Sequence, residues 1–159
     1  MDQKKLAVWL KIITVSVGVA GLAVFFGVIP MYGQYVAAEN PEFAYCYWPW
    51  QIFLWVVALP CYAGLVLLWK VAANVERDRS FSTENASLLK TISYLAAGDS
   101  AFFFVGNLVL LVLNMNHPGI VIMSLIPVVF GIAVTVAAAV LSHLIAKAAV
   151  LQADSDLTI

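Results

Sequence analysis

Arg79 to Asn114 reads RSFSTENASLLKTISYLAAGDSAFFFVGNLVLLVLN, and this stretch decides the fold. It opens as a charged, capped helix start and runs directly into an apolar segment long enough to cross a bilayer. Ser82 is a good N-cap. Glu84 falls in the first turn, where the helix dipole favours a negative charge, and Phe81 is placed to staple back onto Ala86. Leu88, Leu89, Ile92 and Leu95 continue an apolar face. Ser93, Ser100, Asn107 and Asn114 recur at an interval of seven. Seven residues at about 100° each fall only about 20° short of two turns, so the spacing predicts one slowly drifting polar seam. In hydrocarbon such a seam has to face protein or trapped water.

The composition around this stretch excludes a soluble domain. The chain is 64% apolar and 11% charged, against about 45–50% and about 25% in soluble proteins. Four apolar runs account for the excess: 6–29, 50–70, 92–113 and 119–145. Each meets the length of about 20 residues that a helix needs to span a membrane. The expectation is an all-α, polytopic membrane protein with a bundle of four transmembrane helices. The first run is too long for the core of a signal peptide, about 7–15 residues, and reads as a retained anchor.

Charge sets the expected orientation. The basic residues are Lys4, Lys5, Lys11, Lys70, Arg77, Arg79, Lys90 and Lys147. None lies between the first two spans, where Glu39 and Glu42 are found, and none lies in the link between the last two. The positive-inside rule then places both termini and a loop at 71–91 in the cytoplasm. The basic residues stand singly at one boundary, which is topology and not direct nucleic-acid binding.

Within the first span, Lys11, Thr14, Gly18, Gly21, Phe25 and Val28 form a stripe whose small residues suit close helix packing. Pro30 and Gly33 mark the expected exit from that helix. The segment 31–49 is read as an outer loop rich in aromatics, including Tyr32, Tyr35, Phe43, Tyr45, Tyr47 and Trp48. Two readings stay open there. One is a belt on the headgroups; the other is a small cap that binds a hydrophobic or cationic ligand, with Glu39 and Glu42 as counter-charges. Cys46 is placed to cross-link two copies, whereas Cys61 reads as a small buried hydrophobe beside Pro60. In the fourth span, Ser124, Gly131, Thr135, Ala138 and Ser142 form a second packing stripe.

Asp99 is the one carboxylate inside a span, about 10 Å from the inner boundary at about 1.5 Å per residue. An acid at mid-membrane costs about 2.5–3.5 kcal/mol, so a partner, a wet cavity or a proton is required. Gly98 and Gly106 promise close approach by a neighbour, and Lys11 and Lys147 are the nearest cations by depth. No metal cluster, cofactor motif or catalytic triad is visible.

Two stretches carry a resemblance. Arg79-Ser80-Phe81-Ser82-Thr83-Glu84-Asn85, with Leu88, Leu89 and Ile92, resembles the G-x-P-F-S-x-E-N-x-x-x-L-x-x-I segment of a family of uncharacterised bacterial four-span membrane proteins, a domain of unknown function. The ending from Ala148 to Ile159 resembles that family's L-Q-x-E-x-D-L-T-I terminus. The chain departs from the pattern at 79–80, where Arg-Ser replaces a Gly-containing turn, and at Ala153, where an acid is usual. The resemblance implies a four-span fold in a bacterial inner membrane. It also implies a partner, since family members are often encoded beside a very small Cro/CI-type helix-turn-helix regulator.

Three functions follow as expectations. The first is a non-enzymatic sensor or regulator whose partner contacts are Phe81, Ser82, Glu84 and Asn85 in the loop, with Asp156 and Leu157 in the 148–159 tail. The second is a small transporter or proton pathway along Ser93, Asp99, Ser100, Asn107 and Asn114, as a homo-oligomer. The third is a structural or immunity-type subunit of a larger membrane complex.

Overall fold

A computed structural model describes the backbone of residues 2–156 and side chains as far as Asp154. Helices α1 (Gln3–Ala23), α2 (Ile29–Glu39), α3 (Tyr47–Glu76), α4 (Thr83–Val112) and α5 (Pro118–Asp156) make up nearly all of it. A π-turn at Val24–Val28 joins α1 to α2, and a short 3₁₀ segment at Pro41–Cys46 joins α2 to α3. Four continuous helical stretches are long and apolar enough to cross a membrane: Gln3–Glu39, Pro41–Glu76, Thr83–Val112 and Pro118–Asp154. The fold is therefore all-helical and four-spanning. The start of α1 and the end of α5 lie at the end that carries the basic residues, here the terminal end. The opposite end is the aromatic end.

The helices pack in chain order. Backbone contacts join α1 to α3, α3 to α4 and α4 to α5; among the described residues α1 does not approach α4 or α5. At the terminal end side chains bridge that separation. Ala7, Val71, Val75, Ala86, Leu89 and Ile145 form a buried cluster drawn from all four spans. Elsewhere small residues set the spacing. Tyr62 of α3 donates its hydroxyl to the Gly18 carbonyl at 2.8 Å, and a Cβ on Gly21 would stand 2.8 Å from that hydroxyl oxygen. A Cβ on Gly106 would strike the Phe53 ring, and one on Gly131 would strike the Ser100 hydroxyl. Gly98, by contrast, faces open space.

Three expected boundaries need correction. Pro30 does not end the first helix, and 31–49 is not a loop: the chain stays helical to Glu39 and again over Pro41–Cys46. The reason lies in the π-turn. Ile29 N–H donates to the Val24 carbonyl, one residue further back than in an α-helix. That shift makes Phe25 the carbonyl which residue 30 would serve, and proline has no N–H to give. The Trp55 indole donates to the Phe25 carbonyl instead, at 3.2 Å. A proline is thus carried inside a continuous helix of 37 residues. At about 1.5 Å per residue this helix is about 55 Å long, well beyond the ~30 Å hydrocarbon core. The third correction is at the other terminus: the expected tail at 148–159 is helical as far as Asp156.

Both tight turns use a left-handed residue that is not glycine. Asp78 (φ 57°) follows α3 and Asn114 (φ 56°) follows α4. In each case two backbone bonds close the helix: Arg79 N–H to Asn74 O with Asp78 N–H to Val75 O, and Met115 N–H to Leu110 O with Asn114 N–H to Leu111 O. This is the Schellman pattern, and Asn and Asp are the side chains that tolerate it best after glycine.

The Trp55–Phe25 bond predicts a coupled pair. Trp55→Phe should lower the stability of the detergent-solubilised protein by about 1 kcal/mol, because it strands a buried carbonyl. Pro30→Ala restores an N–H for that carbonyl, so the loss should shrink in the double variant. Thermal unfolding of the four proteins in a double-mutant cycle measures this coupling.

Candidate functional site

The terminal end is built around Asn85. Its side chain is fully buried and every polar atom is engaged. Asn85 Nδ2 donates to the Arg79 and Ser80 carbonyls, both at 3.1 Å, and Oδ1 accepts from Asn74 Nδ2 at 3.0 Å. Arg79 in turn donates to Asn74 Oδ1 at 3.1 Å. The Asn85 backbone N–H meets Ser82 Oγ at 3.2 Å, so Ser82 is the N-cap that the sequence predicts. These bonds tie the end of α3 to the start of α4. Ser80 Oγ donates to Gln3 Oε1 at 2.6 Å, and Lys11 pairs with Glu76 at 2.5 Å while lying over the Trp69 ring, so α1 is held to the same turn.

The expected partner contacts divide here. Phe81 is 56% exposed, and Glu84 is exposed with Arg79 3.9 Å away. Asn85 is not available to a partner, a correction that follows from its burial. Ser82 is half-buried and already occupied by its cap bond. Asp156 ends α5 with its side chain outside the described residues, and Leu157 lies outside them altogether.

At mid-membrane the polar seam is inward for three of its four members. Ser93 is buried and donates to the Thr135 carbonyl of α5 at 3.0 Å. Ser100 is half-buried against Gly131 and donates to Ala96 O at 2.7 Å. Asn107 is fully buried, donating to Phe103 O at 2.9 Å and accepting from Asn116 at 3.2 Å. Asn114 is the exception: it is exposed and serves the left-handed turn. Ser142 adds a second hydrogen bond between α4 and α5, donating to Ala86 O at 2.6 Å.

Asp99 stands off this seam. Its Oδ2 accepts from the Cys61 thiol of α3 at 3.4 Å, and its buried Oδ1 has no partner among the described residues. Cys61 is exposed and engaged with that acid, so it is not the inert buried hydrophobe expected from the sequence. Lys11, one of the two cations nearest to Asp99 by depth, is committed to Glu76.

At the aromatic end, helix α2, the 3₁₀ segment, the start of α3 and the turn after α4 enclose a cavity of about 680 Å³. Tyr45 and Trp50 donate to the Asn114 and Met115 carbonyls at 3.2 and 2.6 Å, so the aromatics fasten that turn. Tyr47 packs against Gly33, where a Cβ would come within 2.9 Å of its ring. Tyr32, Tyr35 and Trp48 are each more than half exposed, and Tyr32 also borders the cavity. Cys46 is half-buried on the cavity wall. Gln51, unremarked in the sequence because it follows Trp50 in an apolar run, is 2% exposed and also lines the cavity. Its Nε2 has no acceptor among the described residues.

Four apolar spans, paired interior polar groups and an aromatic boundary define a multi-pass integral membrane protein. The chain belongs to the family described as protein of unknown function (DUF2975), whose model matches residues 31–159. It is 30% identical over 154 residues to the uncharacterized membrane protein YoaS of Bacillus subtilis (strain 168), covering 96% of each chain. No solved structure matches it significantly.

Asn85→Ala should cost about 2–4 kcal/mol, since it leaves two carbonyls and an amide without partners. Asn85→Asp keeps the shape but turns an oxygen toward those carbonyls, and should be at least as harmful. Glu84→Gln, on the exposed side of the same turn, should shift stability by no more than about 0.5 kcal/mol. Thermal melts of the three variants in one detergent make the comparison.

Proposed function

We propose that this protein is a non-enzymatic sensor or regulatory subunit of a bacterial inner membrane, with both termini in the cytoplasm. Its output is a contact made by the turn between α3 and α4 with a cytoplasmic protein. The observation that carries the reading is the pinned turn itself. A buried asparagine holds the backbone while Phe81 and Glu84 stand exposed at its tip. A rigid apolar side chain flanked by an acid binds with little ordering cost. The partner implied by the family resemblance is a small helix-turn-helix regulator.

A proton or cation pathway through Asp99 is the second reading, favoured by the unpartnered Oδ1. It ranks lower because Ser93, Ser100 and Asn107 already donate to backbone carbonyls.

Affinity capture from membranes of cells that co-express the small regulator separates these readings. Wild type should recover the regulator, and a Phe81→Ala, Glu84→Ala variant should recover at least about tenfold less, the loss of one well-packed aromatic anchor. Equal recovery by both, or none by wild type, overturns the regulatory reading. For the second reading, proteoliposomes should show proton or cation flux that Asp99→Asn abolishes; absent or unchanged flux removes it.

A further inference from the structure

The aromatic-end cavity has no part in the contact proposed above. At about 680 Å³ it falls within the range of about 300–1,000 Å³ typical of small-ligand sites. Its lining includes Val28, Ile29, Leu54 and Ile120, apolar residues of the spanning helices. Such a lining suits an apolar chain.

The lining is mostly apolar, and its polar members include Asn40, Asn114, Asn116 and His117 toward the end of the molecule, with Gln51 deeply buried among them. Gln51 is 98% buried and its Nε2 lacks an acceptor, a condition that buried amides rarely tolerate. The last torsion of a glutamine is soft, so the nitrogen turns toward the cavity at small cost. What it needs is an acceptor; a bare cation would leave it unserved. No Lys or Arg lines the cavity, and Glu39 and Glu42 lie on the segments that wall it. That charge balance disfavours an anionic head.

We propose that this cavity binds a neutral single-chain lipid, its tail against the apolar walls and its ester carbonyl accepting a hydrogen bond from Gln51 Nε2. The site lies at the opposite end of the helices from Phe81, and its occupancy is measurable on the lone protein, so its fate is separate from that of partner capture.

The test uses the full chain in phosphatidylcholine nanodiscs with a 1-monoacylglycerol that carries a diazirine in its acyl chain. After irradiation, peptide mapping should place the label on residues 28–54, and unlabelled monoacylglycerol should compete it away. Gln51→Leu removes the donor, and Ala37→Trp fills the cavity from α2. Each should reduce labelling at least about fivefold, the effect of one lost hydrogen bond or more. The fatty-acid probe of the same chain length should label at least about fivefold less than the ester. Label that does not saturate, that spreads evenly over the lipid-facing helices, that persists in either variant, or that is as strong with the fatty acid overturns the proposal. Competition on the unaltered protein reads saturation even where a variant does not fold.

Discussion

The amide pair Asn74–Asn85 closes the end of the molecule where four spans come together. Hydrocarbon gives no help to an unpaired polar group, so a turn between two membrane helices must find partners for its own carbonyls. Asn85 supplies them to Arg79 and Ser80, and Asn74 supplies the acceptor that keeps Arg79 folded over the turn. Because these bonds set where α4 begins, they also set which face of α4 meets α5. Ser93, Ser100 and Asn107 then fall inward, and Ser142 reaches back to Ala86.

The four spans and the inward seam were legible because they are matters of length and period. Apolar runs of about 20 residues have few alternatives, and a seven-residue interval keeps its face over several turns. The start of α4 was equally readable, since Ser82 caps it by local chemistry alone. Asn114 shows where the same reasoning stops. It fits the interval, yet it sits one step beyond the helix, where asparagine is chosen for its tolerance of positive φ. A polar residue at the end of a period has two reasons to be there, and spacing does not separate them.

The aromatic end was misread for a different reason. Tyr and Trp report that a segment lies at a membrane boundary; they do not report its backbone. Pro30 looked like an exit because proline removes one donor, but the missing bond is supplied by Trp55, 25 residues later in the chain. The Cys61–Asp99 contact is likewise a meeting between separate helices, and the burial of the Gln51 amide depends on the same packing; neither is visible to any local window. What a side chain touches across 30 residues or more depends on packing that only the assembled array defines.

The chain-order packing of the helices also bears on synthesis. Each span after the first has a packing neighbour already in place: α3 finds α1, α4 finds α3, and α5 finds α4. No helix has to wait for a later one to be threaded between itself and its partner. Such local, sequential pairing keeps loop-closure cost low and lets hairpins dock as they emerge from the insertion machinery. The order in which the ribosome delivers the spans is also an order in which they can assemble.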